Sequence, residues 1–92
     1  MNTNVPFRAD VISKIIEIVN NPSVNINANT KFYDIPDMDS LNTMDVVADI
    51  EDYYDVVVNL HNVDSTLTIN DLAALIVEEV VKQKEASKWN GF

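Results

Sequence analysis

Apolar residues recur at intervals of three and four in three stretches of the chain. In the first, Phe7, Val11, Ile12, Ile15, Ile16 and Val19 share one face, which predicts a helix over about residues 6–20. Pro6 suits its first turn, where a missing N–H is no loss, and Asn20-Asn21-Pro22 ends it. In the second, Thr43, Val46, Val47, Ile50 and Tyr54 gather on one side of a helix predicted over residues 40–54. In the third, Ile69, Leu72, Ala73, Ile76, Val77 and Val80 form a buried stripe over residues 68–81. Thr68 with Asp71 three residues on matches a capping box at its start.

The segments between are polar or too short to pair. SVNINANT, residues 23–30, alternates Val24 and Ile26 with asparagines, but one strand without a partner is marginal and a packed loop is expected. Phe32, Tyr33 and Ile35 read as loop residues tucked onto the core, with Pro36 as punctuation before the second helix. DVVVN after that helix has strand propensity and no partner, so it reads as a connector; residues 62–66 read as one short helical turn. The last helix is expected to fray after Val81, leaving residues 83–92 as a flexible tail beyond a domain of residues 1–82. Three main helices and a short one imply an all-α bundle.

The outward side of the second helix is unusual. With about 100° of rotation per residue, Leu41, Met44 and Ala48 lie opposite the core face, among Asp45, Asp49, Glu51, Asp52 and Asp55. Isolated exposed apolar residues are ordinary. A ridge of them ringed by charge of one sign also suits docking of a basic partner. Both readings stand at this level.

Charge narrows the partners. Six Lys and Arg against fifteen Asp and Glu leave a net charge of −9, which repels nucleic acid and anionic membrane. The acidity either confers solubility or speeds encounter with basic protein patches. There is no cysteine, so disulfides, thiol catalysis and zinc–thiolate sites are excluded for these residues. MNTNVPFRAD holds no apolar run of signal-peptide length and nothing further on could span a bilayer, so a cytoplasmic monomer is the expectation.

Candidate chemistry concentrates in DMDSLNTMD, residues 37–45. Ser40 opens the second helix, where serine and aspartate are both common caps. If Asp39 caps, the Ser40 hydroxyl is free at a helix mouth, which tolerates a phosphate well. A nucleophilic serine would need a base within reach. The only histidine, His61, sits in a polar connector, and no glycine beside Ser40 forms a nucleophile elbow. A calcium loop starting at Asp37 and Asp39 fails, because Leu41, Asn42 and Ala48 occupy its ligand, glycine and glutamate positions. No metal site and no catalytic residue is expected.

The DSL triplet heading an acidic second helix resembles the acyl carrier protein family, over roughly residues 7–81. Phe32, eight residues before Ser40, DIEDYYD after it, and LTINDLAALI at the last helix are similar to the family's pattern. The resemblance implies that Ser40, between Asp39 and Leu41, receives 4′-phosphopantetheine from coenzyme A through a Mg²⁺-dependent phosphopantetheinyl transferase. It implies a thiol arm that holds acyl groups as thioesters for fatty-acid or polyketide-type enzymes. It also implies a recognition surface at Leu41, Met44, Asp45, Ala48, Asp49, Glu51 and Asp52 for the transferase and for loading and synthase enzymes with basic patches. Three departures stand out: Asp37 replaces a usual glycine, Asn42 a frequent acid, and residues 60–67 carry only Asp64. An aminoacyl carrier (D-alanyl or peptidyl) of the same fold is the nearest alternative, and an unmodified helical adaptor the next.

Overall fold

The computed structural model describes residues 5–58 and 66–89, the side chains of 85–89 excepted. The predicted turn at 62–66 lies outside them but for Thr66, as do Leu60, His61 and Asp64. Helix α1 spans Arg8–Val19, α2 spans Ser40–Tyr54 and α3 spans Ile69–Trp89, with a 3-10 turn at Phe32–Asp34. No strand forms among the described residues, so the fold is the all-α bundle expected.

Helix α1 begins at Arg8, two residues after the start its pattern suggests. Phe7 is extended, its carbonyl accepts the N–H groups of Asp10 and Val11, and its ring is 77% exposed rather than part of the apolar face. Pro6 and the extended Phe7 turn that side chain away before the helical period starts. From there the pattern holds: Val11 and Ile15 are fully buried, and Ile12, Ile16 and Val19 pack at the edge. Asn20 closes the helix in the left-handed conformation, φ 50°, donating to Ile16 O.

The asparagine-rich loop seals the start of α3. A helix leaves its first four N–H groups without internal partners. Here Ile69 N–H donates to Thr30 O at 3.0 Å, Asn70 N–H to Ala28 O at 2.9 Å, and Leu72 N–H to Thr68 O at 3.2 Å. Asp71 N–H donates to Thr68 Oγ1 at 3.0 Å while Thr68 N–H donates to Asp71 Oδ2 at 3.1 Å, which completes a reciprocal box. Phe32 N–H reaches Leu67 O at 3.0 Å, so the loop meets α3 through a single antiparallel bridge, Lys31 with Thr68.

The core lies between α1 and α3, with α2 closing it. Helix α1 packs on α3 more extensively than on α2, and α2 touches α3 least. Phe32 and Ile35 fill the space the helices leave, and Val56, Val58 and Leu67 close the edge. On the far side Lys14 bridges α1 and α2: it donates to Glu17 at 3.0 Å and sits 4.3 Å from the centre of the Tyr53 ring. The Glu17 hydrogen bond raises the Lys14 pKa, and burial raises that of the neighbouring Tyr54 phenol.

Helix α3 does not fray at Val81; its backbone stays helical to Trp89. The stripe of apolar residues stops, but KQKEASK contains neither glycine nor proline and is built largely of strong helix formers. An expected consequence of the packing is that Ile76→Ala, at a fully buried position, lowers unfolding free energy in urea by about 2–5 kcal/mol.

Candidate functional site

The entry to α2 is built by a turn and two caps. Ile35-Pro36-Asp37-Met38 closes with Met38 N–H donating to Ile35 O at 3.1 Å. Proline stands at its second position and Asp37, φ 65°, at its third, the pattern of a type II turn. That left-handed position favours glycine, which is the physical reason a glycine suits this place and why Asp37 departs from it at a cost. Two side chains pin the turn from outside: Asn21 Nδ2 donates to Pro36 O at 3.4 Å and Asn42 Nδ2 to Asp37 O at 2.7 Å. Asn42 therefore does something an acid could not, since a carboxylate has no N–H to give.

Asp39 is the N-cap. Its Oδ1 accepts Asn42 N–H at 2.8 Å, and its carbonyl accepts both Thr43 N–H at 2.9 Å and Thr43 Oγ1–H at 2.8 Å. Thr43 is the buried polar side chain of the core, and this bond satisfies it. With the cap made by Asp39, Ser40 is exposed and its hydroxyl has no hydrogen-bond partner among the described residues.

Along α2 the core face is Thr43, Val46, Val47 and Ile50, with Tyr54 half-buried. Leu41 is 72% and Met44 43% exposed, and Ala48, Asp45, Asp49, Asp52 and Asp55 are exposed as well. The acids and the apolar ridge thus share the solvent side with Ser40. Glu51 differs from its neighbours. It is half-buried, its Oε2 accepts Val58 N–H at 2.6 Å, and its carbonyl accepts Val56 N–H at 3.0 Å. Sequence reasoning grouped Glu51 with the free acids because a side chain reaching a backbone seven residues on leaves no trace in helical periodicity.

An open groove of about 790 Å³ lies between Arg8 and the α3 residues Asp71, Ala74, Leu75 and Glu78, and includes no part of α2. Among the described residues no three His, Cys, Asp or Glu side chains come together to hold a metal ion, and no helix is long and apolar enough to cross a membrane.

The family described as "Phosphopantetheine attachment site" (PP-binding) has a sequence model that matches residues 9–76, from the first turn of α1 to the middle of α3. Comparisons with curated proteins and with solved structures give no match.

The strained turn and its side-chain pin make opposite predictions for two substitutions. Asp37→Gly is expected to raise unfolding free energy by about 0.5–1 kcal/mol, because glycine holds positive φ without steric cost. Asn42→Asp is expected to lower it by about 1 kcal/mol through loss of the donor to Asp37 O. Urea unfolding of the two variants checks both signs.

Proposed function

The chain belongs to the phosphopantetheine-attachment family, and on that premise we propose that Ser40 is the residue that carries the prosthetic group. The observation that supports this reading most is the division of labour at the mouth of α2. Asp39 makes the cap, so the Ser40 oxygen stays exposed and unpaired. The N–H groups of Ser40 and Leu41 have no backbone partner among the described residues, and free donors at a helix mouth suit a phosphodiester.

The prosthetic group of this family is 4′-phosphopantetheine, held covalently. It supplies the thiol that a chain without cysteine lacks, for carrying cargo as a thioester. The residues of the chain have simpler tasks. Ser40 Oγ gives up its proton and bonds to the phosphorus that bears the pantetheine arm, while the pyrophosphate P–O bond of coenzyme A breaks and 3′,5′-ADP leaves. No hydrogen bond joins Ser40 to a base among the described residues, and the base is assigned to the transferase. Asp39 and the Ile35–Met38 turn hold the hydroxyl outward. The domain is a carrier and does not itself perform the chemistry on its cargo.

For docking, we propose Leu41, Met44 and Ala48 as the apolar contact and Asp45, Asp49 and Asp52 as the charged rim that steers enzymes with basic patches. For cargo, we propose acyl groups of fatty-acid or polyketide-type synthesis, a reading supported by the DSL triplet and the acidic second helix. Weak, fast, charge-steered contact suits a carrier that visits several enzymes in turn.

Incubation with coenzyme A, Mg²⁺ and a broad-specificity phosphopantetheinyl transferase, followed by intact-mass measurement, is expected to show one phosphopantetheinyl addition that Ser40→Ala abolishes. Absence of the addition, with a control carrier modified in parallel, would favour an unmodified adaptor. Reversal of charge in Asp45→Lys/Asp52→Lys is expected to lower the modification rate about tenfold or more at low salt and to flatten its salt dependence. Far-UV circular dichroism should be unchanged, since neither side chain is in a hydrogen bond that holds α2.

A further inference from the structure

Phe7, just before α1, is the most exposed large apolar side chain among the described residues, at 77%. Its backbone is fixed all the same. Pro6 precedes it, and its carbonyl accepts the N–H groups of Asp10 at 3.0 Å and Val11 at 3.1 Å. The ring is thus held on a firm mount while it meets solvent. A single exposed apolar residue is ordinary. What sets this one apart is its neighbour.

Arg8, the next residue, borders the open groove of about 790 Å³ along α3. Leu67, Ala74, Leu75 and Val77 give that groove apolar walls, with Asp71 and Glu78 beside them. Phe7 is not among the lining residues, so the chain does not fill its own groove with its own ring. The volume lies in the range that accepts small ligands, which is enough for one aromatic ring. The charges are left open in the same way. Asp71 is occupied in the capping box with Thr68. Arg8 and Glu78 are exposed and form no ion pair among the described residues.

One end of the bundle therefore holds a projecting ring, an open apolar groove, a free cation and a free anion. A foreign partner would need only one half of each complement. A surface that carries both halves fits a second copy of itself about a twofold axis, because residue i of one copy then meets residue j of the other, and the reverse. We propose that two copies of the chain pair at this end, the Phe7 ring of each entering the groove of the other and Arg8 of each facing Glu78 of the other. The pair departs from the monomer expected of the sequence, where periodicity puts Phe7 on the core face of α1. One ring and one groove per copy make a small interface, so the association is weak and reversible rather than obligate. Ser40 and the acids of α2 lie outside the groove. The inference goes beyond the attachment proposed above and does not depend on it.

The test is sedimentation equilibrium of the full chain over about 10 µM to about 1 mM, the range of weak pairs. Salt of about 0.15 M screens the repulsion between two chains of net charge −9. A reversible monomer–dimer equilibrium is expected, and Phe7→Ser should raise its Kd about tenfold or more. Arg8→Glu and Glu78→Arg should each raise Kd about three- to tenfold. An equimolar mixture of those two variants should regain the dimer, since each chain then offers the charge that the other lacks. Recovery in the mixture requires that the paired charges belong to different copies.

A chain that stays monomeric at the highest concentration overturns the inference, as does a dimer that Phe7→Ser does not weaken. If the double variant Arg8→Glu/Glu78→Arg regains the dimer and the mixture does not, the charges pair within one chain and the inference falls. Because Phe7 is exposed, Phe7→Ser decides the matter even if a charge variant does not fold. Intact mass after transferase treatment is a separate readout, so a monomer still modified at Ser40 leaves the attachment standing.

Discussion

One hydrogen bond organises the working end of this molecule: the Asp39 carboxylate takes the N–H of Asn42. A helix start needs acceptors for its first donors, and serine at such a place is ordinarily consumed as the cap. Here aspartate is consumed instead. The carbonyl of the same residue holds Thr43 by backbone and side chain together, and that threonine is buried in the core. The cap is therefore tied to the interior, while the next residue is left outside it.

The rest of the bundle divides into a frame and a presented helix. Helices α1 and α3 pack most closely, and the Ala28 and Thr30 carbonyls of the loop accept N–H groups at the α3 start, so the frame is closed by both apolar burial and hydrogen bonds. Helix α2 rests on this frame chiefly through α1 and through one face, Thr43, Val46, Val47 and Ile50. On its other face Leu41, Met44, Asp45, Ala48, Asp49 and Asp52 are exposed among the described residues. Such a helix can combine a rigid attachment with a large free surface, which is what a domain handed from enzyme to enzyme requires. The excess of carboxylates on that surface is affordable because they are spread over one side and face high-dielectric solvent.

Two polar residues of α2 turn out to work for the fold. Asn42 secures the turn before α2 and Glu51 secures the segment after it, each reaching main-chain groups beyond the helix. Their effect is to hold the segments flanking α2 against it at both ends. A face that looks uniformly available in a helical projection is therefore mixed: Asp45, Asp49 and Asp52 project into solvent, whereas Glu51 is already engaged.

The sequence by itself determined the three helices, their apolar stripes, the Thr68–Asp71 box and the placing of Ser40 at the head of α2. Each follows from local spacing, and neighbouring residues on one helix are enough to decide it. It did not determine the outward turn of Phe7, the helical run to Trp89, the left-handed Asp37 or the capture of Val58 by Glu51. The first two depend on where the chain enters a helix and on propensity that outlasts the apolar pattern. The last two join backbone and side chains across turns, and only the folded chain brings those groups within hydrogen-bond distance.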